Sequence, residues 1–298
     1  MTRLLVFGAG GQVGRHLLES PLPAATEIIG LTRQQADICD PLAVAEWLNE
    51  LQPSVVINSA AYTAVDKAES EPAQAFRVNR DGARVLAEAS ARSGVPLIHL
   101  STDYVFDGQS TRPYSESDPV APQGIYARSK EKGERDVRAA QFKHIVLRTA
   151  WVYGPFGANF MRTMLRLGGE REELGIVADQ IGSPTATGDI AAAILGIAGE
   201  VQRPDFQDWG TYHYVGGDIV SWHGFAEMIF AEAERFGCKT PRLRAITTAD
   251  YPTPAKRPAY SVLSTAKIER TFGIRPMPLR ASLIASLRKL FSQKEKAA

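Results

Sequence analysis

Leu4-Leu5-Val6-Phe7-Gly8-Ala9-Gly10-Gly11-Gln12-Val13-Gly14 is the stretch that decides the fold. Its four leading apolar residues read as a strand buried on both faces. Glycines follow at 8, 11 and 14, and Val13, Leu17 and Leu18 then recur at helical spacing. A strand that turns sharply into a helix needs residues without a Cβ at three places: where the chain reverses, where the backbone approaches a pyrophosphate, and where the helix lies close to the sheet. The helix N-terminus then offers free N–H groups and a positive dipole end to the phosphates. The spacing predicts a dinucleotide site with Gly8, Gly11, Gln12, Val13 and Gly14 against the cofactor. The competing reading is a glycine-rich loop without a ligand; the strand–turn–helix context weighs against it.

The same alternation continues outward. Strands are predicted at 27–31, 54–57, 96–101 and 144–149. Helices are predicted at 41–51, as one long element over 73–93, and at 125–140. Strands alternating with helices imply parallel β-α-β units and a doubly wound, Rossmann-like parallel sheet. After Thr149, Gly and Pro become frequent, and helices at 160–167, 189–198, 221–236 and 279–291 enclose short strands at 174–178 and 212–215. The expected division is a dinucleotide-binding domain over 1–150 and a smaller α/β substrate lobe over 151–298, with some segments returning to the first domain. Residues 293–298 are polar or small and are expected to fray.

The composition bounds the function. The 298 residues suit about two domains. With 34 Lys and Arg against 33 Asp and Glu, the net charge of +1 gives no bulk attraction for nucleic acid, so none is expected as a partner. Hydrophobic residues at 44% exclude a disordered chain. No apolar run approaches the roughly 20 residues that span a bilayer, and no membrane partner is expected. Two cysteines far apart exclude a disulfide scaffold and fit a reducing compartment. With no signal peptide at the N-terminus, these features point to the cytoplasm.

The end of the second strand selects the nicotinamide cofactor. An acid there would bind the ribose 2′-hydroxyl of NADH, whereas an arginine suits the 2′-phosphate of NADPH. The sequence is Leu31-Thr32-Arg33, without a carboxylate. Arg33 therefore favours NADPH, with NADH kept as the alternative. Asp37 and Ile38 follow, placed to meet the adenine edge or simply to begin the next loop.

Tyr126-Ala127-Arg128-Ser129-Lys130 is the second constellation. In a helix the tyrosine and lysine, four apart, share a face. A phenol near pKa 10 is a poor acid at neutral pH, but a neighbouring ammonium and an oxidised nicotinamide favour the phenolate. Such a tyrosine can give a proton to a ketone as that ketone receives hydride. The lysine can also bond the nicotinamide ribose. At the end of the fourth strand stands Ser101-Thr102-Asp103, where ligands lie in doubly wound folds. Thr102 is placed to orient the substrate carbonyl, or else to cap the next turn, and Asp103 to bond sugar hydroxyls.

These motifs in this order resemble the extended short-chain dehydrogenase/reductase superfamily, and Arg148-Thr149-Ala150-Trp151-Val152-Tyr153-Gly154-Pro155 resembles its segment after the fifth strand. Within it, Gly11 to Gly14, Asn58 to Glu69, Ser101 to Gly108, Asp179 to Thr185 and Arg257 to Leu263 resemble the dTDP-4-dehydrorhamnose reductases. That family reduces the 4-keto group of dTDP-6-deoxy-L-lyxo-4-hexulose to dTDP-L-rhamnose with NADPH or NADH. The resemblance implies a nucleotide-sugar substrate, Tyr126 as proton donor, Lys130 as its partner, and Thr102 and Asp103 against the sugar. It implies that Trp151 packs on the sugar ring and that Ala61, Tyr62 and Thr63 line the cofactor. Ser59 is a small departure. Gly124, just before the catalytic helix, is a larger one and is expected to loosen the approach to that helix. Some relatives dimerise through a cation held by glutamates. Those glutamates have no match here, so a homodimer stays open and no metal is assigned.

The remaining candidates are weaker. Histidines 16, 99, 144, 213 and 223 lack metal-ligand spacing, and structural roles are expected. Ser59 and Ser101 sit in no nucleophile elbow. Arg242 and Arg244 read as solvated, whereas Lys256 and Arg257 follow two prolines and suit a diphosphate; Arg257 is the candidate. Rival functions are a nucleotide-sugar epimerase or dehydratase, which would retain NAD, and a non-catalytic cofactor-binding subunit. The absence of a Glu after Asp103 counts against the dehydratase, and the intact Thr102, Tyr126 and Lys130 against the subunit.

Overall fold

The computed structural model describes residues 1–295. In chain order the elements are β1 (Thr2–Phe7), α1 (Gln12–Leu18), β2 (Thr26–Leu31), α2 (Pro41–Leu51), β3 (Val55–Asn58), α3 (Val65–Ala68), α4 (Pro72–Phe76), a π-helical turn (Arg77–Gly82), α5 (Ala83–Arg92) and β4 (Leu97–Thr102). A 3-10 turn (Asp103–Val105), α6 (Gly124–Ala140), β5 (His144–Thr149) and β6 (Val152–Tyr153) follow. Then come α7 (Phe160–Glu170), β7 (Glu173–Val177), β8 (Ile181–Gly182), β9 (Thr185–Ala186), α8 (Thr187–Glu200), β10 (Gly210–His213) and β11 (Val220–Ser221). The chain ends with α9 (Trp222–Ala233), β12 (Arg242–Ile246), α10 (Ala266–Phe272) and α11 (Leu279–Glu295).

Six strands form one parallel sheet in the order β10-β5-β4-β3-β1-β2. The apolar run of β1 alternates between two cores, as a strand buried on both faces must. Leu4 and Val6 pack with Val13 and Leu17 of α1 and Ile190, Ile194 and Ile197 of α8. Leu5 and Phe7 pack with Val44 and Leu48 of α2, Leu86 of α5 and Val137 of α6. A third core joins α7, α9 and α11 through Met161, Phe225, Ile229, Leu283 and Leu287.

The doubly wound parallel sheet expected from the sequence is present, with three differences. The strand expected at 212–215 in the smaller lobe is β10, at the edge of the main sheet beside β5. Tyr212 and Tyr214 hold it there, because both are buried in the core of the first domain. The long helix expected over 73–93 is broken by the π-helical turn. Asn79 in that turn faces α6, where Gly133 lets its carbonyl approach so closely that a Cβ would overlap it. The tail expected to fray is helical through Glu295, and residues 296–298 lie outside the described residues.

Candidate active site

A cleft of about 1140 Å³ opens over the C-terminal ends of the parallel strands, from the glycine turn past β4 to Trp151, Trp222 and Arg257. That volume suits more than one small ligand, since drug-sized sites run about 300–1,000 Å³. Gly8, Gly11, Gln12 and Val13 line one end. Gly8 has φ +84°, and a Cβ on it would stand 2.5 Å from the Ala60 nitrogen. Gly14 lies behind the turn, where a Cβ would overlap the Gly8 carbonyl, so its part is close packing rather than lining. No side chain caps the N-terminus of α1, whose N-cap is Gly11. An uncapped helix end behind a glycine turn is a cradle that fits a pyrophosphate.

Gln12 does more than line the turn. Its carbonyl accepts from Asn159 Nδ2 at 2.9 Å and its amide donates to the Ala158 carbonyl at 3.3 Å. Asn159 caps α7 and also donates to the Gly154 carbonyl. The glycine turn is thereby tied to the start of α7. Neither Gly157, at φ +63° against Gln12, nor Asn159 was legible as a partner in the sequence.

At the adenosine end, Arg33 is exposed on the cleft rim. Burial raises the Asp37 carboxyl, but the Cys39 N–H and the nearby Arg77 and Arg33 guanidiniums more than offset this and hold it below its usual range. Ile38 is buried beneath Gly82 and also borders the cleft. Ala61, Tyr62 and Thr63 form the wall beyond β3. Asn79 sets that wall: its carbonyl accepts the Tyr62 N–H at 2.8 Å and its amide donates to the Tyr62 carbonyl at 3.0 Å and to Ser129 Oγ at 2.9 Å. The Tyr62 hydroxyl is turned away to Glu71, at 2.8 Å. Asn79 carries no motif; only the π-helical turn marks it, a feature frequent at functional sites.

Tyr126 and Lys130 share the face of α6 that the spacing predicts, and both line the cleft with Thr102. Lys130 Nζ is buried and donates to the Leu100 carbonyl of β4 at 2.7 Å. Burial lowers its pKa to about 8, against the pull of Glu134. Burial pushes Tyr126 up to about 12, opposed by Thr102 and reinforced by Asp103. Thr102 both caps and faces the site: its hydroxyl accepts from the Tyr104 N–H at 3.2 Å and donates to Asp103 Oδ1 at 2.9 Å. Burial raises the Asp103 carboxyl to about 6, against the pull of the Ser261 and Thr102 hydroxyls.

Gly124 does not loosen the approach to α6. It adopts φ +79°, which lets Glu69 Oε1 reach the Ile125 N–H at 2.7 Å and cap the helix one residue before Tyr126. Trp151, at φ +46°, stacks on Trp222 at 3.5 Å and 4°, and Gly182 packs against its indole. One face of the Trp151 ring is therefore occupied by Trp222, a cleft residue that the sequence did not single out. Arg257 is held by Asp66 at 2.6 Å, and among the described residues its Nη1 has no partner. Arg242 and Arg244, read as solvated, are exposed but pair with Glu173. Among the described residues no group of His, Cys, Asp and Glu could hold a metal ion, and no helix is long and apolar enough to cross a membrane.

A parallel doubly wound sheet, a glycine turn, and a Tyr-x-x-x-Lys helix facing a strand-end threonine define a dinucleotide-dependent oxidoreductase of the short-chain dehydrogenase/reductase type. Residues 1–292 match the family model described as RmlD substrate binding domain, and the chain belongs to that family. It is 44% identical over 286 residues to a dTDP-4-dehydrorhamnose reductase of Aggregatibacter actinomycetemcomitans, covering 95% of this chain and 97% of that protein. It is 46% identical over 274 residues to the enzyme of the same name from Sinorhizobium fredii, covering 92% of each. The crystal structure of the Bacillus anthracis dTDP-4-dehydrorhamnose reductase in complex with NADP superposes with a TM-score of 0.88 at 36% identity, covering 98% of this chain and 100% of that one.

Proposed function

We propose that Tyr126, Lys130 and Thr102 carry the NADPH-dependent reduction of the 4-keto group of dTDP-4-dehydro-6-deoxy-L-mannose to give dTDP-L-rhamnose. The observation that carries this assignment is the meeting of Tyr126 and Lys130 on α6 with Thr102 at the end of β4, in the cleft that begins at the glycine turn. NADPH, when bound, supplies the hydride. Gly8, Gly11 and the first turn of α1 hold its diphosphate, Arg33 meets the 2′-phosphate, Asp37 and Ile38 border the adenine, and residues 61–63 form the wall along it. The Thr102 hydroxyl orients the ketone. Tyr126 gives its phenolic proton to the C4 oxygen as negative charge develops there, and the Lys130 ammonium steadies the phenolate left behind. Asp103 and Arg257 line the cleft where the sugar and the substrate diphosphate would lie, and Trp151 stands beside them.

The roles are tested by following NADPH absorbance with the dTDP-4-keto sugar, with NADH as control. Tyr126→Phe should keep NADPH affinity and lose about 10²–10⁴ in turnover, as removal of a positioned acid does. Wild-type turnover in that variant would refute the assignment.

We divide the chain into a cofactor unit, residues 1–150 with α8 and β10 returning to it, and a substrate lobe made of the rest. Shared packing of α1 with α8 and of β5 with β10 supports this division. We place the enzyme in the cytoplasm, where NADPH and nucleotide sugars circulate, and cell fractionation tests that. A homodimer, left open by the family resemblance, is tested by sedimentation of the purified protein.

A further inference from the structure

Glu134 lies one helical turn beyond Lys130 on α6 and has no exposed surface. Its carboxylate takes four donors. Ser101 Oγ at 2.6 Å and Arg148 Nε at 2.9 Å reach Oε1; Arg148 Nη2 at 2.7 Å and Arg138 Nη1 at 3.0 Å reach Oε2. Ser101 and Arg148 are register partners on β4 and β5. Arg148 is itself 3% exposed, and its guanidinium lies over the Phe106 ring at 5.1 Å. The residues on either side of Ser101 belong to the site: the Leu100 carbonyl accepts from Lys130, and Thr102 faces Tyr126.

We propose that Glu134 is a positioning residue for the reduction: through Ser101 and Arg148 it locks the strand ends that present the Leu100 carbonyl and Thr102, and its charge sustains the Lys130 ammonium. This inference rests on the roles given above to Tyr126 and Lys130. The ionisable groups whose charge couples with Lys130 are Glu134 on α6 and His99 on β4. His99 is neutral, because burial and the Lys130 charge both depress it. Glu134 is the group that opposes the desolvation of Lys130. Its own carboxyl resists burial and stays ionised, down at about 2, because Arg148 and Ser101 bond it. A buried carboxylate with this many donors costs stability if one partner is removed, whereas removing both charges together is often neutral.

The test is the double variant Glu134→Gln/Arg148→Met. The introduced amide still accepts the Ser101 hydroxyl, and the introduced thioether keeps an apolar side chain on Phe106. The expected result is a folded protein with near wild-type NADPH affinity. The basic limb of its kcat/KM profile should move to lower pH by about half a unit, roughly a threefold loss of activity on that limb, because the Arg148 cation leaves with the carboxylate and offsets part of the effect. A folded double variant with the wild-type basic limb would overturn the electrostatic part. Ser101→Ala keeps every charge and removes one hydroxyl, so it reports on positioning even where the double variant does not fold. Its kcat should fall by about tenfold as Thr102 loses its fixed neighbour, with the basic limb unmoved and the melting temperature lowered by the few degrees that a lost buried hydrogen bond costs. Wild-type kcat there would overturn the positioning part. Tyr126→Phe measured alongside separates the two levels. If that variant is inactive while the Glu134 and Ser101 variants behave as wild type, this inference alone fails. If Tyr126→Phe is fully active, the reading beneath it fails.

Discussion

Gly124→Ala should destabilise the protein and slow it, although helix propensity taken alone says the reverse. A Gly-to-Ala change inside a helix ordinarily gains about 1 kcal/mol. Gly124 is at the first turn of α6 with φ +79°, a conformation that costs an L-residue about 1–2 kcal/mol. An added Cβ would also stand 2.7 Å from Glu69 Oε1, well inside ordinary contact. The carboxylate is the far end of a flexible side chain and will move, but on moving it releases the Ile125 N–H that it caps at 2.7 Å. Loss of a helix cap costs about 0.5–2 kcal/mol. Together these give roughly 1.5–4 kcal/mol. At about 2–4 °C per kcal/mol for a chain of this order of size, the melting temperature should fall by roughly 3–16 °C. Tyr126 lies two residues on, so a shift of the first turn misplaces the phenol, and misplacements of about 1 Å can cost about 10²-fold in rate. Calorimetric melting together with single-turnover NADPH oxidation measures both effects. A melting temperature equal to or above wild type would show that neither the backbone conformation nor the Glu69 cap matters here.

Arg33→Ala should weaken NADPH more than NADH, by about 1.5–3 kcal/mol for a lost charge-assisted bond, read by fluorescence titration of both cofactors; equal losses would remove Arg33 from the 2′-phosphate. Trp151→Ala breaks the stack on Trp222 and should raise KM for the nucleotide sugar while NADPH affinity holds. A parallel loss of both affinities with a large fall in melting temperature, as core truncations give, would make it a core residue only. Asp103→Asn tests a stability linkage. Because the folded carboxyl is raised from 3.8 to about 6, Asp103 costs nothing below its unfolded value, and stability is lost as pH rises through the folded one. The variant should therefore gain on wild type between about pH 4 and pH 6 and keep a constant lead above that, in melts taken across the range; a difference independent of pH would contradict the buried titration.

What the amino-acid order by itself determined is what short-range rules govern. The strand, turn and helix of residues 4–18 follow from apolar runs and from glycines that only a tight turn needs, all within one supersecondary unit. Tyr126 and Lys130 share a face because four residues make one helical turn, and Thr102 reaches the cleft because parallel strands present their C-terminal ends there. The tertiary structure alone decided what holds these groups. Asn79 grips Tyr62 across 17 positions, Glu69 caps α6 across 56, and Gln12 meets Asn159 across 147. Trp222 takes a face of Trp151 that the sequence left for the sugar. Burial raises the Tyr126 phenol, and that burial depends on how α6 packs over β4. The 212–215 segment looked like part of the second lobe, but its two buried tyrosines find their core beside β5. Contacts of this kind depend on which surfaces the folded chain brings together, and periodicity and spacing, which act over one or two turns, carry no record of them.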